Sequence, residues 1–336
     1  MSSKISMIKH SSIPAFIIFL FLIPIFLKNT YWLHVLGIAG INVILVSSLH
    51  TIRSTGEISM GTGGFMAVGA YTSALLAMKL GLSFWLTMLL SGVLCAAVAV
   101  ILGYPLMRTK GIYFSILTLV TAEVFRLIAW YYSSLTGGAV GLSGIPSPNS
   151  IPIPGIGTII FETKVDYYYL ILVITLLSLL VLFRLQNSQV GFVWRNIREM
   201  DHLAASVGIN VLRYKIFAFA IGSFFTGIAG ALFAHFMHLL AADTTGKFGM
   251  TTSIYILIYM VFGGEGKYMG PVLGAFILTV LPETFRAMKE YQPIIFGALV
   301  ILIVFFMPQG IISFPDRILS WRRRKETSDR MPLQSS

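Results

Sequence analysis

Glu123 and Arg126 stand three residues apart inside the apolar run Ile112 to Tyr131, so a helix there puts them on one face, within reach of each other. An ionised group inside a bilayer is costly. Such a pair marks either a functional site or an ion pair that fixes the position of its helix, and near the outer end of a span both side chains can also reach water. A second place for chemistry is Gly56-Glu57-Ile58-Ser59-Met60-Gly61-Thr62-Gly63-Gly64-Phe65, where four glycines and two hydroxyls fall where an apolar span begins. Lipid tolerates no free backbone, so such a stretch is shielded by neighbouring helices or lines a watery cavity, as the interrupted helices of transporters do. Glu57, Ser59, Gly61, Thr62, Gly63 and Gly64 are therefore candidates for a translocation pathway. The competing reading is that these glycines only let helices approach closely.

The run Gly263-Gly264-Glu265-Gly266-Lys267-Tyr268-Met269-Gly270-Pro271 joins two short apolar segments and reads as a turn or re-entrant corner, which adds Gly263, Gly264 and Gly266 to the pathway candidates. It is no phosphate-cradling loop. That pattern, GxxxxGK[ST], fails at both ends, with Val261 in place of the first glycine and Tyr268 in place of the hydroxyl. Of the six histidines, His235 and His238 fall at helical spacing, but no carboxylate or cysteine clusters with them to hold a metal. Cys95, the single cysteine, lies in the apolar run Phe84 to Tyr104 and reads as a small buried residue. Nothing sets a Ser, Cys or carboxylate nucleophile beside a base. The expectation is a non-catalytic protein with no metal and no cofactor.

The elements that must position these residues are membrane-spanning helices. Of 336 residues 56% are hydrophobic and 11% charged, with a mean hydropathy of +0.84, more apolar surface than one water-soluble core hides. The net charge of +11 is not laid out as a basic surface interleaved with aromatic residues, so no nucleic-acid partner is expected. Apolar runs cover Ile13 to Leu27, Leu33 to Ile52, Gly63 to Met78, Phe84 to Tyr104, Ile112 to Tyr131, Tyr167 to Phe183, Ile216 to Leu240, Thr251 to Phe262, Gly270 to Phe285 and Ile294 to Met307. They predict an all-α polytopic membrane protein of about ten helices, some short or broken by glycine. The first run follows Lys4 and Lys9 like a signal peptide, but no small-residue cleavage site follows it, so it reads as an uncleaved span.

On a ten-span path that starts in the cytoplasm, 17 of the 24 Lys and Arg fall inside, six outside and Arg126 within a span, which places both termini in the cytoplasm. The connection 132–166, rich in Gly, Pro and Ser, is expected outside. The basic connection 184–215 is expected inside, with Asp201 to Val207 a short amphipathic helix ended by Gly208. One transmembrane domain over 1–325 with a disordered tail, 326–336, completes the expected organisation. Small residues at Ser223, Gly227 and Ala231, with Gly230 and Ala234 beside them, read as a surface for close helix packing.

Several segments together resemble the membrane permease subunit of bacterial branched-chain amino-acid ABC importers, within a wider family that also serves urea, amides and some sugars. They are Gly56 to Leu76, Lys110 to Leu127, Leu135 to Pro146, Gly191 to Ala234, Ser253 to Pro282 and Gly297 to Gly310, in that order along most of the chain. The resemblance implies a permease that moves leucine, isoleucine or valine across the inner membrane, paired with a second homologous permease. It also implies two cytoplasmic ABC ATPases that hydrolyse the ATP, and a periplasmic substrate-binding protein.

The resemblance further implies that Arg198, Glu199, Ala204, Ala205, Gly208, Ile209 and Asn210 belong to the segment that docks on an ATPase. A short amphipathic helix of mixed charge at the membrane surface suits a groove on a soluble partner. Glu57 stands where the family commonly has glutamine, Thr62 where histidine or glutamine is common, and Phe192 where arginine is common. A carboxylate at Glu57 facing the path would favour the amino group of a solute. It is equally readable as an acid at a helix amino terminus, stabilised by the dipole. A rival class, an ion-coupled secondary transporter, would need ionisable groups near the bilayer midplane, where only Glu123 and Arg126 compete for the role.

Overall fold

A computed structural model describes residues 20–24, 29–153, 157–159, 161–242, 247–266, 268–284, 297–298, 301 and 310–311. Helix α1 (Thr30–Arg53) starts where the Asn29 side chain accepts the Tyr31 amide, and α2 (Thr62–Leu80) stops at Gly81 in the left-handed conformation. Helices α3 (Phe84–Leu106) and α4 (Ile112–Tyr131) follow, then the single turn α5 (Ser133–Thr136). Helix α6 (Lys164–Gln186) opens on a reciprocal capping box between Thr163 and Asp166. Two short helices, α7 (Gln189–Glu199) and α8 (Asp201–Ser206), lead to α9 (Val211–Met237), which Asn210 caps. Helices α10 (Met250–Gly263) and α11 (Met269–Thr284) close the described body.

Among the described residues, α1, α3, α4, α6 and α9 are long and apolar enough to cross a membrane, while α10 and α11 are shorter apolar helices. The architecture is that of an all-α polytopic membrane protein. The expected first and last spans, Ile13 to Leu27 and Ile294 to Met307, lie mostly outside the described residues, as does the tail 326–336. The expected span Ile216 to Leu240 becomes Val211–Met237, because Asn210 starts it earlier and His238, with φ 58°, ends it.

Helix α9 is the centre of the fold and packs on α3, α2 and α1, while α1 also packs on α6 and α11. Its small residues make this possible. A side chain at Gly230 would run into the Met66 carbonyl of α2, and one at Gly227 into Ser91 and Cys95 of α3, so both stripes expected to pack do so. Helices α3 and α4 turn Leu89, Val93, Ile101, Ile116, Val120 and Val124 outward, the apolar surface a bilayer would cover.

Helix α6 is 23 residues long, roughly 35 Å. It therefore separates the connection 132–166 from the connection 184–215, one at each end of the body. The first holds small sheets. Strand β1 (Leu142–Ser143) pairs antiparallel with β4 (Leu239–Leu240), and β2 (Ile151–Ile153) pairs with β3 (Gly157–Ile159). The second holds α7 and α8.

Candidate functional site

Between α1 and α2 the chain turns at Ser54 to Gly56, the last with φ +96°, and runs without helix from Glu57 to Gly61. Glu57, Ser59 and Gly61 of this broken segment are buried and Ile58 and Met60 half-buried, and other helices bond to its backbone. Ser115 of α4 donates to the Ile58 carbonyl at 2.7 Å, the Met60 amide donates to Thr118 Oγ1 at 2.9 Å, and the Gly63 amide donates to Ser253 Oγ of α10 at 2.9 Å. Shielding by neighbours is thus how lipid is kept from the free backbone. Ser59, Gly61, Thr62, Gly63 and Gly64 are all buried. A side chain at Gly63 would meet Gly249, and one at Gly64 would meet Ala122, so close packing accounts for these two glycines. At the other glycine-rich run, Gly263 lies against Gly270 and Pro271, whereas a side chain at Gly266 would meet none of the described residues.

Glu57 is not a helix-terminal acid. Helix α2 begins five residues later, at Thr62, with no acidic residue in its first turn. The Glu57 carboxylate instead accepts from Lys215 Nζ of α9 at 2.6 Å, and the two side chains are 6% and 8% exposed. Its other oxygen, Oε2, is buried with no hydrogen-bond partner among the described residues. The pair borders a cleft of about 710 Å³ lined by Thr55 to Glu57, Ile197 to Leu203, Ser206 and Lys215.

The far wall of that cleft is the segment carrying Arg198, Glu199, Ala204, Ala205, Gly208, Ile209 and Asn210. The expected short helix is present as α8, and Gly208, with φ +86°, lets the Ile209 amide close back on the Ala204 carbonyl. Helix α7 before it was not foreseen. It is rooted by Trp194, fully buried, whose indole N–H donates to the Tyr214 carbonyl at 3.0 Å, with Gly191 and Ile197 buried on the same face. Helix α8 is held by Asp201, which accepts from Lys110 Nζ of the α3–α4 turn at 2.8 Å. That hydrogen bond keeps the Asp201 carboxyl below its ordinary range. Outward from this held pair of helices stand Met200, Leu203 and Val207, all more than 60% exposed.

Sequence reasoning also missed Glu265, although it noted the glycines around it. Glu265 Oε2 accepts from Arg53 Nε at 2.8 Å and lies 3.5 Å from Arg198 Nη2, so one carboxylate joins the end of α1, the α10–α11 corner and α7. A carboxylate between glycines, in a connection expected on the basic side, was the signal available.

At the opposite end Arg126 pairs with Glu123 at 2.6 Å and also donates to the Ala242 carbonyl at 2.7 Å. The two histidines there serve the backbone. His235 Nδ1 donates to the Pro146 carbonyl at 2.7 Å and His238 Nδ1 to the Ile145 carbonyl at 2.8 Å, which pins the connection 132–166 on α9.

A helical body with several helices long enough to span a membrane, a non-helical segment sealed by its neighbours and a polar helix pair anchored at one end fits a membrane permease. The family model for the permease component of branched-chain amino acid transport systems matches residues 31–306, and the chain belongs to that family. It is a multi-pass inner-membrane protein and a permease subunit. The high-affinity branched-chain amino acid transport system permease protein LivM of Escherichia coli is 32% identical over 295 residues, covering 83% of this chain and 67% of its own. LivM of Salmonella typhimurium is 30% identical over 341 positions, covering 91% and 80%. The high-affinity branched-chain amino acid transport system permease protein LivH of Salmonella typhimurium is 27% identical over 205 residues, covering 60% of this chain and 65% of its own. No solved structure matches the chain significantly.

Proposed function

We propose that this chain is one of a pair of homologous permeases in an ATP-driven importer of leucine, isoleucine and valine, with the segment 184–215 as the seat of a cytoplasmic ATPase. Similarity to both LivM and LivH supports the pairing and the solute class. The observation that carries the seat is the trio Met200, Leu203 and Val207, exposed apolar side chains on α8 and at its two ends, held by helices anchored through Trp194 and Asp201. A rigid support presenting apolar anchors among charges of both signs is what a soluble partner can grip and pull.

In this reading the domain 1–325 crosses the bilayer about ten times with both termini in the cytoplasm, and 132–166 faces the periplasmic binding protein. The lopsided distribution of Lys and Arg supports that orientation. ATP-driven closure of the two ATPases moves α7 and α8, and the path between the permeases changes from outward to inward access. Arg198, Glu199, Ala204, Ala205, Gly208, Ile209 and Asn210 form or shape the seat. Glu57, Ser59, Gly61 and Thr62 bring the broken helix to the path in the open state, and Gly263, Gly264 and Gly266 form the corner that moves with it. The chemistry of ATP hydrolysis belongs to the partners.

Reconstitution of the assembled complex in liposomes tests this. Uptake of labelled leucine that requires both ATP and the binding protein is expected. Uptake by this chain alone, driven by an ion gradient, would refute it.

A further inference from the structure

The α10–α11 corner is tied to the segment 184–215 twice. The first line runs through charge, with Arg198 of α7 beside Glu265 Oε2 and Arg53 Nε donating to the same oxygen, while Arg53 Nη1 donates to the Gly56 carbonyl at 2.9 Å. Gly56 is the residue just before the unwound segment, and a side chain there would press on the Arg198 backbone. The second line runs through the backbone of the corner itself. Arg195 of α7 donates to the Gln186 carbonyl at 3.1 Å, the Gln186 side-chain Nε2 donates to His50 Nδ1 at 3.2 Å, and His50 Nε2 donates to the Glu265 carbonyl at 3.3 Å. Both lines converge on Glu265, on a corner whose preceding Gly264 has φ +96°. Helix α7 thus reaches Glu265 by two routes.

Arg53 and Glu265 are 21% and 24% exposed and Arg198 is 36% exposed, so each pair is partly screened by water and adds little to folding stability. What the cluster adds is connection. We propose that Glu265 is a positioning residue that transmits movement of α7 and α8 to the α10–α11 corner and, through Arg53, to the broken segment 57–61. It touches neither ATP nor solute. This role rests on the ATPase seat proposed above.

The test uses the whole complex in liposomes, with Glu265→Gln compared to wild type in ATPase retention and in leucine taken up per ATP hydrolysed. Retention is expected to stay within about twofold while uptake per ATP falls about tenfold, the scale of a typical coupling free energy. Glu265→Asp, which keeps the charge, is expected to restore most of it. Arg53→Gln, which removes the other partner of the same carboxylate and lies outside the proposed seat, is expected to give the same defect, and the double variant Arg53→Gln/Glu265→Gln to be no worse than either single one, as in a shared link. Unchanged uptake per ATP, loss of the ATPases from Glu265→Gln, or additive defects would each overturn the role. A wild-type complex that holds no ATPase would instead remove the seat, an outcome independent of any substitution at Glu265.

Discussion

Glu57–Lys215 and Glu123–Arg126 use the same pair of charges in two regions for different ends. The first bridges residues 158 positions apart, with both side chains almost fully buried, and ties the broken segment to the base of α9. The second sits within one helix turn, its glutamate 35% exposed, and its arginine spends a further donor on Ala242. A buried pair gains little over an apolar pair of the same shape, yet losing one member strands a charge. A pair open to water on one side has a cheaper way out. The Glu57–Lys215 pair, beside the proposed ATPase seat, is thus one that fails abruptly, and the Glu123–Arg126 pair at the opposite end one that fails gradually.

The sharpest way to break this comparison is Lys215→Met, which leaves Glu57 buried and alone. We expect a loss of about 3–5 kcal/mol, read as a lower unfolding midpoint in detergent, and recovery of most of it in Glu57→Leu/Lys215→Met. Glycine substitutions come next. Gly64→Leu should cost about 1–3 kcal/mol and lower uptake by forcing α2 away from Ala122, whereas Gly266→Ala, whose new methyl meets none of the described residues, should be nearly silent. Glu123→Gln is expected to cost only about 1 kcal/mol, and a loss equal to that of Lys215→Met would erase the contrast.

The smallest effect is a pH dependence at α8. The Asp201 carboxyl titrates below its ordinary range when folded, so its hold on Lys110 is complete above that range and is lost as pH falls through the lowered value. Amide exchange in α8, corrected for intrinsic rates, should quicken over that acidic window in the wild type and lose this step in Asp201→Asn.

What the sequence disclosed follows the range of each interaction. Long apolar runs announce spanning helices, and Glu123–Arg126 is visible because three residues on a helix is a contact distance. Helix α8 was legible from a mixed-charge stretch closed by Gly208. Helix α7 was not, since its buried side is only Gly191, Trp194 and Ile197 within a basic connection, and the folded body is what makes that side apolar. The partners of Glu57 and Glu265 are 158 and 212 residues away, and no local pattern reports them. Strands of two or three residues, such as β1 and β4, exist only because tertiary structure sets them side by side. Gly63 and Gly64 were recognised as special, but the residues that lie against them, Gly249 before α10 and Ala122 on α4, are far away in sequence.

The central claim is that α7 and α8 are the ATPase seat. Photo-crosslinking of the intact complex from Leu203, exposed on α8, and from Leu239, exposed at the opposite end, tests it most directly. The account predicts that position 203 captures an ATPase subunit and position 239 never does. Capture of the ATPase from position 239, or its absence from position 203 in a complex that still holds it, would contradict the account.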